Sequence, residues 1–150
     1  MRFIGKSKRC DEFDTYIKDN VQLLSSTGKW NLPTDIKTKL HNDILKQQQG
    51  LCIYCQQELP EKENAQYLPE SIIEHLRPRT KYPELTHIFC NLSVACKKHK
   101  QKKDKKELID FCEDRKDEEY DEDKFLNPHE LVDIETYFEY DTEGNIFAHQ

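Results

Sequence analysis

Two short chelating pairs constrain this chain more than any other feature. Cys52 and Cys55 stand in "CIYC", and Cys96 and His99 stand in "CKKH". Each pair closes a small loop that offers two lone-pair donors to one ion, and two such pairs make the tetrahedral set of a structural zinc site. Four protein ligands leave no position for water, so an ion held this way staples structure and does no chemistry. Residues 56 to 95, 40 positions, separate the pairs, more than a small zinc finger contains, so a whole ββ unit must loop out between them. Cys90 is the competing ligand, whereas Cys10 and Cys112 have no near partner in sequence and read as small buried hydrophobes.

A staple suits the composition. Hydrophobic residues make up 35% of the 150 positions and charged residues another 35%, so one domain with a modest core is expected. No apolar segment follows the opening "MRFIGKSKRC", and no apolar run is long enough to cross a membrane. The chain reads as cytoplasmic and soluble, and in a reducing compartment closely spaced cysteines are metal ligands more often than disulfides.

The expected fold class is α+β, in three stretches of one compact unit: a helical N-terminal part over 1–50, a zinc-stapled core over 51–112, and an acidic segment with a C-terminal hairpin over 113–150. Phe13, Ile17, Val21 and Leu24 recur at helical spacing, as do Ile36, Leu40 and Ile44. Pro33 suits the start of the second helix and Gly50 its end. Leu51 to Pro60 reads as a knuckle, "SIIEHL" as a strand ended by Pro78, and "HIFCNLSV" as the returning strand. The lysine-rich stretch beyond reads as a helix, and "YFEY", "DTEGN" and "IFA" as a terminal hairpin.

Inside this framework Glu74 and His75 stand side by side. Hydrolysis of a phosphodiester near neutral pH needs a base to activate water, a divalent ion to absorb charge, and fixed geometry. A histidine and an acid can supply the first two. Adjacent strand residues point to opposite faces, so the pair needs a bend, which Pro78 and the following loop allow. His41, His87, His129 and His149 lack such a setting and are expected to serve surface or capping roles.

"CIYC", then "EHLRP", then "NL", then a Cys-x-x-His step running into lysines together resemble the HNH endonucleases with their ββα-metal core. "EHLRPRTKYPEL" and "FLNPHELVDIETYFEYDTEGNI" are similar, more narrowly, to the PtuB-like HNH proteins of Septu and retron antiphage systems, a likeness spanning most of the chain. The resemblance implies that His75 is the general base, that Glu74 binds a catalytic magnesium or manganese ion, and that Asn91 orients His75 by bonding its backbone. It gives Cys52, Cys55, Cys96 and His99 the zinc positions. It also implies a PtuA-like ABC/SMC-type ATPase as partner and, in retron forms, a reverse transcriptase and its msDNA.

One departure stands out. Lys100 follows the last zinc ligand, where such nucleases often carry an asparagine or histidine that completes the catalytic metal site, and an ammonium cannot bind a cation. Either Asp104, one helical turn further, replaces that ligand, or His99 serves the catalytic ion, or Glu74, phosphate and water hold it alone.

The net charge of -6 argues against a general nucleic-acid coat protein, but it conceals the layout. "KKHKQKKDKK" over 97–106 carries seven lysines and one acid, and "EDRKDEEYDED" over 113–123 carries eight acids and two bases. Lys98, Lys100 and Lys103, with Arg77 and Arg79 beside His75, are the expected contacts to nucleic-acid phosphates, blind to sequence and sensitive to salt. The acidic stretch suits a basic partner surface or a shield over the lysines. The functional expectation is therefore an antiphage HNH endonuclease acting on DNA or RNA under a partner ATPase. Its rival is a noncatalytic zinc-bound adaptor with a degenerate site. A redox role for Cys52 and Cys55 is weaker, because no thioredoxin-like βαβ pattern surrounds them.

Overall fold

In a computed structural model the described residues are 2–6, 9–21, 29–59, 61, 71–97, 120–143 and 146–148. Helix α1, Asp11–Asp19, opens with Asp11, Glu12 and Asp14 near its positive end. It buries Phe13 completely and Ile17 in part. It ends where the Asn20 backbone N–H and side-chain Nδ2 both donate to the Tyr16 carbonyl, at 3.1 and 2.9 Å. The longer apolar stripe expected from sequence does not persist: Val21 is 54% exposed, and Leu24 lies outside the described residues.

Helix α2, Thr34–Gln47, follows Pro33 and buries Leu40, Ile44 and Leu45. Gln49 and Gly50 take left-handed φ values of 57° and 77°, and the Gly50 N–H donates to the Leu45 carbonyl at 2.9 Å. That closure reverses the chain into the knuckle. There Leu51 bridges Glu58, the Cys52 N–H donates to the Gln57 carbonyl at 2.8 Å, and Gln56 sits at φ 62°.

Strands β1, Ser71–His75, and β2, Leu92–Cys96, pair antiparallel, with Ser71 opposite Cys96, Glu74 opposite Ser93 and His75 opposite Leu92. Two strands alone are marginal in water. Here Gln48 acts in place of a third: its Nε2 donates to the Val94 carbonyl at 2.8 Å and its Oε1 accepts from the Val94 N–H at 2.8 Å. The Ile53 N–H reaches the same carbonyl at 3.0 Å, so knuckle, α2 and β2 share one buried junction. β2 is buried at every position, and its side chains join those of α1, α2 and Ile4 in the core.

The returning strand is shorter than "HIFCNLSV" suggests, because Phe89–Asn91 forms a 3-10 turn and pairing starts at Leu92. The chain from Tyr120 onward runs back over the loop between the strands, anchored by the Ile4 N–H donating to the Pro128 carbonyl at 2.8 Å. A 3-10 turn, Ile134–Tyr137, then leads into the expected hairpin, β3 Phe138–Tyr140 against β4 Ile146–Ala148. The architecture is thus mixed helix and antiparallel strand. Among the described residues no helix is long and apolar enough to cross a membrane.

Candidate metal centre and adjoining histidine site

The knuckle lies against the end of β2, and this brings Cys52, Cys55 and Cys96 together with all three sulfurs within 4.8 Å of one another. Cys55 Sγ and Cys96 Sγ are 3.8 Å apart. Zinc–sulfur bonds of about 2.3 Å in a tetrahedron place sulfurs roughly 3.8 Å apart, so this donor set fits zinc. The Cys96 N–H points at Cys52 Sγ, 3.3 Å away, a donor suited to a thiolate. Cys52 and Cys96 are buried and Cys55 is exposed. His99, the expected fourth ligand, lies outside the described residues, as does Cys112.

Cys90 is exposed and stands apart from this cluster. Cys10 is buried at the start of α1, near Glu12 and Asp43. Burial, above all, pushes its thiol up to about 11, which keeps it protonated and in the hydrophobic role expected of it.

At the other end of β1, His75 Nε2 bonds the Thr86 carbonyl at 3.0 Å. A carbonyl only accepts, so Nε2 carries the proton and the lone pair of the neutral ring lies on Nδ1. Trp30, from the link between the two helices, meets the His75 ring edge-to-face at 4.7 Å. On its other contact Trp30 stacks with His87 at 5.5 Å. Burial and the nearby Arg79 charge hold His87 below the ordinary histidine value.

Glu74 has a different set of neighbours, as the alternation of strand faces requires. The Tyr54 hydroxyl, from inside the "CIYC" knuckle, donates to Glu74 Oε1 at 3.2 Å. Asn91 is buried and clamps the loop that joins the strands. Its Oδ1 accepts from the Arg77 N–H at 2.7 Å, and its Nδ2 donates to the Arg77 and Leu85 carbonyls at 3.1 and 3.2 Å. The Asn91 carbonyl also accepts from the Leu76 N–H at 2.9 Å. Its side chain therefore holds backbone at Arg77, two residues beyond His75, and at Leu85.

Arg77 is engaged within the chain. Its guanidinium pairs with Glu130 at 2.8 Å and Glu122 at 3.2 Å, and the Glu130 hydrogen bond is the largest cause raising it above the usual arginine value. The same contact holds Glu130 below the usual carboxylate range. Arg79 and Lys97 are exposed, while Lys98, Lys100, Lys103 and Asp104 lie outside the described residues. Lys81 Nζ donates to the Tyr120 carbonyl at 2.9 Å.

His41 and His129 depart from the surface or capping roles expected of them. His41 is wholly buried, its Nε2 2.8 Å from Ser71 Oγ. His129 Nδ1 donates to the Ile4 carbonyl at 2.7 Å, and its Nε2 accepts from Ser93 Oγ at 2.7 Å. Burial and the Lys6 charge lower His129 to about 4. His149 lies outside the described residues. Periodicity could not find these partners, since each bond joins elements distant in sequence. For Trp30 and Tyr54 a faint signal existed: one is the only tryptophan, the other sits between the knuckle cysteines. Compared with known proteins, the chain matches no family model, no curated protein and no solved structure.

Proposed function

We propose that this chain is a metal-dependent endonuclease of the HNH kind, the effector of a cytoplasmic antiphage system whose partner ATPase governs when it cuts. One observation carries the reading: a histidine whose Nε2–H is fixed on the Thr86 carbonyl directly follows a half-buried carboxylate on β1, and β1 pairs with the strand that contributes Cys96 to a zinc-type thiol cluster. The likeness of "EHLRP" and "FLNPHELVDIETYFEYDTEGNI" to PtuB-like proteins adds the defence context.

His75 takes a proton from the attacking water at Nδ1. Glu74 offers the carboxylate for the catalytic ion, and magnesium accepts so sparse a protein ligand set because it keeps waters and substrate oxygens. That ion, when bound, neutralises charge developing on the phosphate and the leaving oxygen. Asp104 is the candidate second ligand, and His99 the fourth zinc ligand. Asn91 keeps the loop from moving under His75. Arg79, Lys98, Lys100 and Lys103 neutralise backbone phosphates, while Arg77 fastens the C-terminal segment.

His75→Ala tests the reading. Cleavage of DNA and RNA substrates with manganese should fall by at least about a hundredfold, the general-base contribution, and phage protection should vanish while the far-ultraviolet spectrum and zinc content persist. A variant that still protects identifies the chain as a noncatalytic adaptor.

A further inference from the structure

The knuckle that gathers the thiols also reaches the candidate catalytic carboxylate. Cys52 and Cys55 bracket Ile53 and Tyr54. The backbone of Ile53 is tied to Val94 in β2, and the Tyr54 hydroxyl is hydrogen-bonded to Glu74 in β1. Val94 and Ile73 are cross-strand partners, and Ile73 immediately precedes Glu74. Two bonds from consecutive knuckle residues thus land on neighbouring strands, one on the outer edge of β2 at the cross-strand partner of Ile73 and one on the Glu74 carboxylate.

We propose that Tyr54 is a positioning residue that aims Glu74 at the catalytic ion, so that the thiol staple and the carboxylate site are one mechanical unit. This rests on the reading of Glu74 as a ligand of that ion. A hydroxyl donating to Oε1 restricts the rotation of the carboxylate, and so the directions from which it could meet an ion. Tyr54 is half-buried against the core, so its ring and hydroxyl are themselves fixed by packing. Carboxylates that bind metals depend on such outer partners, whose loss typically weakens metal affinity by roughly 10- to 100-fold.

Tyr54→Phe removes the hydroxyl and keeps the ring. Manganese binding, followed by the loss of the free-ion electron paramagnetic resonance signal, is compared in zinc-loaded wild type, Tyr54→Phe and Glu74→Ala. The inference expects Tyr54→Phe to weaken manganese binding roughly tenfold, with zinc content and melting temperature unchanged. Cleavage at saturating manganese should return close to the wild-type kcat, the defect residing in the ion concentration required. Manganese affinity within about twofold of wild type in Tyr54→Phe, while Glu74→Ala loses binding, overturns the positioning role and leaves the ligand assignment standing. Equal binding by wild type and Glu74→Ala overturns the ligand assignment and the inference with it.

Discussion

At the scale of single residues the buried polar groups do most of the organising. Asn91 spans both ends of a loop, Gln48 occupies a strand edge, and the half-buried His129 joins β2 to the N-terminal segment, each through bonds that are wholly or partly shielded from solvent. Such groups are costly to bury unless paired, so each stabilises only the arrangement that satisfies it. For His129 this has a measurable pH signature. Its folded value of about 4 lies below the ordinary 6.5, so the unfolded chain binds the proton more readily. Stability is therefore full above about pH 6.5 and falls as the pH drops toward 4, by about 3 kcal/mol in total. Urea titrations between pH 5 and 6.5 should show a slope for wild type that His129→Gln largely lacks. Equal slopes would assign the acid sensitivity to other groups.

At the scale of elements, the antiparallel pair β1–β2 survives because neighbours complete it. Gln48 and Ile53 bond its outer edge, and the thiols join the knuckle to its end. Zinc in such a site contributes folding free energy directly, because no preformed site exists in the unfolded chain. Elemental analysis of the purified protein should find a single zinc. Cys52→Ser, or a chelator strong enough to strip the ion, should cost at least about 3 kcal/mol in denaturant unfolding. A loss below about 1 kcal/mol would mean that packing alone holds the knuckle. Much of this level was legible in advance. Helix α2, the knuckle, β1 and the terminal hairpin follow from apolar spacing, cysteine spacing and turn residues. The misjudged pieces were α1, which Asn20 caps at Asp19, and the 3-10 turn before β2, where the Asn91 side chain needs its backbone positioned to hold the loop.

At the scale of the molecule, ion pairing within the chain separates the engaged basic residue Arg77 from the exposed Arg79 and Lys97. Arg77 appeared in sequence as one more cation beside His75, yet two carboxylates from the C-terminal segment meet it. Both are more than half exposed, at 59% and 58% side-chain accessibility, so solvent screens the pairs. Arg77→Ala should cost about 1 to 2 kcal/mol of stability and expose the 120–131 segment to protease, while the salt dependence of nucleic-acid binding stays unchanged. Reversing two of the lysines within 97–106 should instead flatten that salt dependence by roughly two units of slope with little loss of stability. If Arg77→Ala flattens the slope, the arginine exchanges its carboxylates for phosphate on binding.

Local chemistry was enough to specify the Cys52–Cys55 knuckle, the strand carrying Glu74 and His75, the period of α2 and the turn of the terminal hairpin, because spacing along the chain sets which donors and apolar faces come together within a few residues. It could not specify that Trp30 would wedge between His75 and His87, that Tyr54 would hold Glu74, or that Glu130 would claim Arg77. Those contacts join residues 20 to 57 positions apart, and only the packing of helix, knuckle and C-terminal segment around one strand pair brings them within bonding range.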